Sequence, residues 1–419
     1  MIKKHTLKFN ELPIHPKVLE AITAMGFETP SPIQAEAIPL AIKGNDILGC
    51  AQTGTGKTAA FLVPLLHGIL TEKNEGKLSA LIIAPTRELA LQIDQQIDGL
   101  SYFTGVVSAA IYGGGSGFDF DKEKKALTSG AEIIVATPGR FISHLNLGYV
   151  DLSNIKFFVL DEADRMLDMG FIEDITKISN LLPKERQTFL FSATMPPKIK
   201  NLANKLQRDP KEIKIAVSKT ASKIEQKAIL VYDQFKLRVI LDIVTKSNYK
   251  SIIIFCSTKS ETKHISAEMQ KRGLSAKSFH SDLEQDEREK RMLAFKNRSI
   301  QVLIGTDIIS RGIDVEDIDL VINHTVPPDA EDYVHRVGRT ARAAAEGKAI
   351  TLINEYDQRK FQKIEQLIGL EIEKSKPGEG LGEGPDYDPI KNFKSKPKFS
   401  GNKKSGFKGK RNFNSGSNK

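Results

Sequence analysis

Cysteine is nearly absent from these 419 residues: Cys50 and Cys256 are the whole complement. Two thiols so far apart build neither a disulfide framework nor a paired-thiol metal motif, and suit buried, reduced side chains in a cytosolic protein. Long apolar runs are missing too. No stretch approaches the roughly 18 residues of a membrane-spanning helix. The opening MIKKHTLKFNELPIHP has basic residues with no apolar run behind them, so no secretory signal is expected. Acidic residues disappear from Lys391 to Lys419, where nine lysines and one arginine give +10 against +9 for the whole chain, leaving the preceding 390 residues at −1. That segment is also rich in Gly, Ser and Asn and cannot bury enough apolar surface to fold alone. Phe393, Phe399, Phe407 and Phe413 set rings among its cations. The mixture suits phosphate neutralisation with base stacking, a solubilising tail being the alternative.

What is present is a soluble, globular composition, 40% hydrophobic and 27% charged, with a repeated alternation in it. Short apolar runs, DILGC (46–50), LIIA (81–84), EIIVA (132–136), FFVL (157–160) and TFLF (188–191), each end in a polar loop. Helical spacing lies between them, as in Glu88 to Leu100 and Asp174 to Leu182. Near-continuous apolar strands alternating with helices predict a parallel sheet covered on both faces. After Arg208-Asp209-Pro210 the pattern restarts with IIIF (252–255), QVLIG (301–305), LVIN (320–323) and AITLI (349–353). The expected organisation is α/β: one domain over 1–208, a linker over 209–223, a second domain over 224–370, and a disordered basic tail over 371–419.

Open α/β sheets bind ligands beyond the carboxyl ends of their strands. The words found there are AQTGTGKT, PTREL, TPGR, DEAD, SAT, CSTKS and TDIISRG. In the first, Gly56-Lys57-Thr58 fit the end of a phosphate-cradling loop, while Ala51 stands where the first glycine is usual. Alanine costs little there unless the position needs a positive φ. Gly54 and Gly56 let backbone amides approach an anion at a helix N-terminus. Lys57 is placed for the β- and γ-phosphates and the Thr58 hydroxyl for Mg2+. FFVLDEAD then puts Asp161 at a strand end, where nucleotide-bound Mg2+ needs a carboxylate, and beside it Glu162, able to orient or deprotonate a water. A solvated acidic turn capping a helix would explain neither the strand before it nor the loop upstream.

The ordered set AQTGTGKT, PTRELA, TPGR, DEAD, SAT, TDIISRG and HRVGRTARA is joined by GFETPSPIQ at 26–34, with Phe9 seventeen positions before Gly26. Together these closely resemble the DEAD-box family of ATP-dependent RNA helicases, in particular its bacterial RhlE-type branch. The match runs from about Phe9 to Ile353. Departures are Ala341 for a usual glycine, the bulky IIS of TDIISRG, and Ser281 for a frequent glycine; none removes a charged group. This family's phosphate loop commonly begins with alanine.

The resemblance implies two RecA-like domains in tandem, ATP and Mg2+ as cofactors, and RNA, single-stranded or as a short duplex, as partner. It further implies a cytoplasmic, monomeric protein acting on ribosomal precursors or with RNA-decay machinery. Nucleotide contacts fall to Phe9, Phe27, Gln34, Ala51, Gln52, Thr53, Gly54, Thr55, Gly56, Lys57, Thr58 and Asp307, and the metal to Thr58 and Asp161. Lys57, Asp161, Glu162, Arg339 and Arg342 are the implied catalytic groups, with Ser192, Thr194 and His335 linking the halves, His335 meeting Asp164 across a cleft. RNA contacts fall to Pro85, Thr86, Arg87, Gly113, Gly114, Thr137, Pro138, Gly139, Arg140, Arg288 and Thr306. Gln34 can offer a donor and an acceptor to adenine. If HRVGRTAR is helical, His335, Arg339 and Arg342 share one face. Hydroxyls, amides and arginines suit phosphate and sugar, so RNA would be held without sequence preference. The implied activity is RNA-stimulated ATP hydrolysis, in which two domains close on a strand and pry open short duplexes. Rivals are a DNA translocase with the same engine, a non-enzymatic RNA clamp, which would need a damaged catalytic word, and a small-molecule kinase, which leaves the second domain and the tail unexplained.

Overall fold

The apolar runs become the strands of two sheets. The first contains β1 (Ile47–Cys50), β2 (Ala80–Ile83), β3 (Ser108–Ile111), β4 (Ile133–Ala136), β5 (Phe157–Leu160), β6 (Gln187–Ser192) and β7 (Lys211–Lys214). The second contains β8 (Glu225–Leu230), β9 (Ile252–Phe255), β10 (Ala276–Phe279), β11 (Val302–Gly305), β12 (Leu320–Asn323), β13 (Lys348–Ile353) and β14 (Glu373–Ser375). This computed structural model describes residues 7–51, 54–72, 76–113, 117–215, 224–307, 309, 318–340 and 347–390. Of the site residues expected from sequence, Gln52, Thr53, Gly114 and Arg342 lie outside the described residues, as do most of the expected linker and the basic run from Lys391.

Strand order is β3-β4-β2-β5-β6-β1-β7 in the first sheet and β10-β11-β9-β12-β13-β8-β14 in the second. The second repeats the first strand for strand, β8 taking the place of β1 and β14 that of β7. All pairings are parallel, as strands separated by crossover helices require. Helices cover both faces, so successive strand residues enter opposite cores. Ala80 and Ile82 join one with the helices Lys57–Glu72 and Arg87–Ser101, while Leu81 and Ile83 join the other with Pro138–Leu145 and Ile172–Leu181. Each fully buried Leu, Ile, Val or Phe contributes about 1.5–3 kcal/mol. Gly49 is required by close approach: a Cβ there would overlap the Phe191 ring.

The strands without a sequence signal are β3, β7, β8, β10 and β14. Four lie at sheet edges, and β8 alternates exposed and buried positions, so none carries a long apolar run. The expected start of the tail at residue 371 needs correction. Beyond Gly369, β14 pairs with β8, and residues 376–390 strap across the second domain. Gly384 lies so close to the Leu230 carbonyl that any side chain would collide. The Tyr387 hydroxyl donates to Glu365 Oε2 at 3.0 Å, and Gln358 Nε2 donates to the Asp386 carbonyl at 2.8 Å. A Gly- and Glu-rich segment can therefore be ordered by close fit rather than by a core of its own.

Ending the chain after residue 390 should leave unfolding within about 0.5 kcal/mol of the full chain. Ending it after Ile372 should cost the second domain about 2–4 kcal/mol through lost burial and the lost β14 ladder, as read by urea denaturation.

Candidate active site

Phosphate-loop geometry answers the substitution at Ala51. Positive φ is confined among the described loop residues to Gly54 (79°) and Gly56 (88°), so alanine is unstrained at 51, where its buried N–H continues the ladder to Ser192 O at 3.1 Å. Helix Lys57–Glu72 starts directly after Gly56, aiming its N-terminal end at the loop. Lys57 is 5% exposed, and its Nζ has no hydrogen-bond partner among the described residues. A buried, unpaired ammonium is costly, and an anionic ligand would remove the cost.

β5 delivers the acidic pair. Asp161 is 3% exposed, and burial pushes its carboxyl up to about 6 against the opposing pull of the Lys57 charge. Glu162 is buried with φ 53° and ψ 51°, a left-handed conformation that a residue with a Cβ adopts only under constraint. One constraint is Asp161 Oδ1, which accepts the Glu162 N–H at 3.0 Å. Another is Asp164, whose Oδ2 accepts from Ala193 N, Thr194 N and Thr194 Oγ1 at 3.1, 2.9 and 3.1 Å, while its own N–H donates to Ser192 Oγ at 3.2 Å. DEAD and SAT are thus one hydrogen-bonded unit across β5 and β6.

A cavity of about 400 Å³ brings together Phe9, Phe27, Gln34, Gly54, Gly56, Lys57, Thr58, Asp161 and Glu162 of the first domain with Arg339 of the second. Phe9 serves as core and as wall, 5% exposed, whereas Phe27 is 51% exposed at the mouth. Gln34 is more committed than its sequence context suggests. Its Oε1 accepts Ser31 N at 2.8 Å, half of a capping box, and its Nε2 donates to Gly56 O at 3.0 Å. One lone pair and one hydrogen are left for an adenine. A neighbouring cleft of about 460 Å³ holds Asp164 and Thr194 on one side and Asp329, Asp332 and His335 on the other.

One expectation changes, and two expected site residues are engaged within the protein. Helix Ala330–Val337 stops at Gly338, a poor helix former, so Arg339 does not continue the face of His335; a turn carries it into the cavity, with Thr340 Oγ1 pinned to Ile318 O at 2.5 Å. Asp307, expected at the nucleotide, accepts Arg336 Nε–H at 2.7 Å. Arg336 was not singled out in the sequence, yet it is 1% exposed, donates also to Asn323 Oδ1 and Thr325 O, and lies over the Phe255 ring. Its signal was its place three residues after Tyr333 on the buried helix face. Arg288, expected on RNA, reaches back across the domains to Glu88 at 2.5 Å. Of the cysteines, Cys256 is buried but Cys50 is only half-buried.

The remaining words line the same edge. Thr86 caps helix Arg87–Ser101, accepting Leu89 N at 3.4 Å; Thr137 precedes helix Pro138–Leu145; Arg87 lies over the Tyr112 ring; Gly113 and Gly139 have open space where a side chain would be; Thr306 follows β11. In sheet order, the words after β3, β4 and β2 are the expected RNA contacts, and those after β5, β6 and β1 the expected nucleotide site. Interleaved along the chain, they separate in space.

Residues 31–202 match the DEAD/DEAH box helicase family model and residues 235–344 the helicase conserved C-terminal domain. The probable ATP-dependent RNA helicase DDX47 of Homo sapiens is 40% identical over 374 residues, covering 88% of this chain and 81% of that one. This chain belongs to the DEAD-box helicase family. Among solved structures, the DEAD-box helicase fold here is similar to a DEAD box protein from Methanococcus jannaschii (41% identity, TM-score 0.52, 88% of this chain and 99% of that one). It is similar also to S. cerevisiae Dbp5 bound to RNA and ADP BeF3 (29% identity, TM-score 0.79, 88% and 95%). Among the described residues no helix is long and apolar enough to cross a membrane.

In protein without added nucleotide or metal, Asp161 holds its proton until pH rises through about 6, against 3.8 for an unperturbed carboxyl. The stability this confers is present below pH 3.8 and lost as pH climbs through about 6. Asp161→Asn should flatten that interval and stabilise the first domain by about 3 kcal/mol at neutral pH, while ending ATP turnover. Urea unfolding across a pH series, with a parallel ATPase assay, checks both.

Proposed function

We propose that this chain is an ATP-dependent RNA helicase that binds RNA without sequence preference and opens short duplexes by closing its two domains. The observation that carries the reading is the cavity walled by the phosphate loop, Asp161 and Glu162 of one domain and Arg339 of the other. Neither domain alone holds that set. The relation to known structures supports a closed arrangement. Dbp5 with RNA and ADP BeF3, at 29% identity, superposes at TM-score 0.79, whereas the 41%-identical archaeal chain reaches 0.52. Sequence divergence would order them the other way, and the placement of two similar domains is the variable left.

In this reading Lys57 and the loop amides hold the β- and γ-phosphates, Glu162 orients and deprotonates the attacking water, and Arg339 and Arg342 neutralise charge developing on the γ-phosphate. Thr58 and Asp161 would hold Mg2+, which when bound shields phosphate charge; a buried carboxylate beside a hydroxyl at the phosphate loop fits that ion. Loss of the γ-phosphate removes the anion shared by the two domains and frees the strand. The Asp164–SAT unit, with His335 on the facing wall of the adjoining cleft, is placed to report that change. We assign the basic segment 391–419 to nonspecific RNA anchoring, and the protein to a cytoplasmic, RhlE-like role on ribosomal or decaying RNA.

RNA should stimulate ATP hydrolysis more than single-stranded DNA of equal length, since 2′-hydroxyls separate an RNA remodeller from a DNA translocase. Lys57→Ala should lose nucleotide binding. Glu162→Gln should bind ATP and RNA yet turn over at least about 100-fold more slowly; hydrolysis at the wild-type rate would overturn the role of Glu162, and equal stimulation by DNA the choice of RNA. Deleting 391–419 should weaken RNA binding and flatten its dependence on salt, because fewer counterions are released.

A further inference from the structure

A carboxylate absent from every sequence motif ties the RNA-facing words of the first domain together. Glu123, on helix Gly117–Thr128, is 7% exposed. Its Oε2 accepts from Arg140 Nε at 2.7 Å, lies 2.6 Å from Arg140 Nη2, and contacts His144 Nε2 at 2.9 Å. Its Oε1 accepts the Tyr112 N–H at 3.1 Å. Tyr112 directly precedes the Gly113 turn beyond β3, and Arg140 opens the helix beyond β4, two paired strands. Phe120, one turn back on the Glu123 helix, stacks on the His144 ring at 4.7 Å and underlies Arg140 at 5.0 Å.

His144 is fully buried, and its hydrogen bonds select its form. Glu123 as carboxylate can only accept, so Nε2 carries a proton. In the neutral ring Nδ1 then accepts the Tyr149 hydroxyl, which closes the row from Tyr149 through His144 and Glu123 to Arg140. Tyr149 in turn has the Lys124 ammonium over its ring at 5.2 Å. Arg140 has five N–H donors, and Glu123 engages only the Nε and Nη2 side of the guanidinium. Two guanidinium nitrogens converging on one buried carboxylate oxygen restrict the swing of Arg140, so a phosphate meets a held donor rather than a mobile side chain.

We propose that Glu123, backed by His144, is a positioning residue for RNA binding: it holds the Arg140 guanidinium and the Gly113 turn in one rigid arrangement, and so sets affinity for the strand rather than the rate of hydrolysis. The inference rests on reading this edge as the RNA face. The test uses the full chain, ATP and a single-stranded RNA oligonucleotide, and follows ATPase rate against RNA concentration. Glu123→Gln should raise the RNA concentration for half-maximal stimulation about tenfold, the loss of one charge-assisted pair. The kcat at saturating RNA and KM for ATP should stay at wild-type values. Arg140→Ala should raise the half-maximal concentration similarly, and the double variant should be no worse than either single one. Tyr149→Phe, a milder change that keeps the ring, should shift it about two- to threefold in the same direction. An unchanged half-maximal concentration in Glu123→Gln and Tyr149→Phe, a fall in kcat instead, or strict additivity with Arg140→Ala would overturn the proposal while leaving the helicase reading intact. Absence of RNA stimulation in the wild-type chain would overturn the helicase reading itself.

Discussion

Buried charge gathered at one sheet edge is the constraint around which this molecule is arranged. Lys57, Asp161, Glu162 and Arg339 are each less than a tenth exposed and line one cavity. Desolvating an ion costs several kcal/mol unless an opposite charge and hydrogen bonds replace the water. Among the described residues the Lys57 ammonium has no hydrogen-bond partner, the Asp161 carboxyl is raised to about 6, and Glu162 holds a left-handed backbone. Two layers of buried aliphatic and aromatic side chains on each sheet offset these costs. In the proposed reading a polyphosphate with a divalent cation would relieve several of them at once, so ligand binding and domain closure would draw on the same electrostatic free energy.

Strand order turns that local requirement into a division of labour. Because β1 lies between β6 and β7, and β2 between β4 and β5, the loops that follow the strands sort by sheet position rather than by sequence position. The Asp164–SAT unit sits on the nucleotide half, and the Glu123 cluster is its counterpart on the other half. Both are carboxylates that bind loops from adjacent strands. Each makes its half of the edge stiff, which is what a binding surface needs if ligand free energy is to move domains rather than bend loops. The Arg288–Glu88 pair is one of the places where the two domains meet directly, and it adds a charge-assisted contact to the closed arrangement.

Much of this was legible in the sequence, for definable reasons. Central strands such as FFVL and IIIF are buried on both faces and announce themselves as apolar runs. Chemistry-bearing loops followed because they lie at the ends of those strands. Edge strands, half solvated and short, left no such trace. Side-chain partnerships left none either: Gln34 reads as a base contact, and it is also engaged as a cap and on the phosphate loop. Arg336 and Glu123 look like surface charges in a linear reading. Only the fold reveals that each is buried against groups distant in the chain, Asp307 and Asn323 in one case and Tyr112 in the other.

The internal repeat raises the question of how its two corresponding helices treat the lysine in their first turns. β8 occupies the place of β1, so helix Asp233–Lys246 corresponds to helix Lys57–Glu72. It too places a lysine in its first turns, Lys236, just 1% exposed. Here the charge is met from within: Lys236 Nζ lies 2.9 Å from Asp233 Oδ1, an atom that also accepts Asn354 Nδ2 at 2.8 Å. The strap then closes over the spot, Tyr232 N–H donating to Glu383 O at 3.2 Å. A phosphate would have to displace a carboxylate and a packed segment to enter. The same architecture thus leaves Lys57 unsatisfied in one copy and neutralises its counterpart in the other, and the second domain offers its cation, Arg339, to its neighbour's site instead. In the proposed reading, one nucleotide between two like-ordered sheets follows from that asymmetry, and with it a molecule whose ligand holds the halves together.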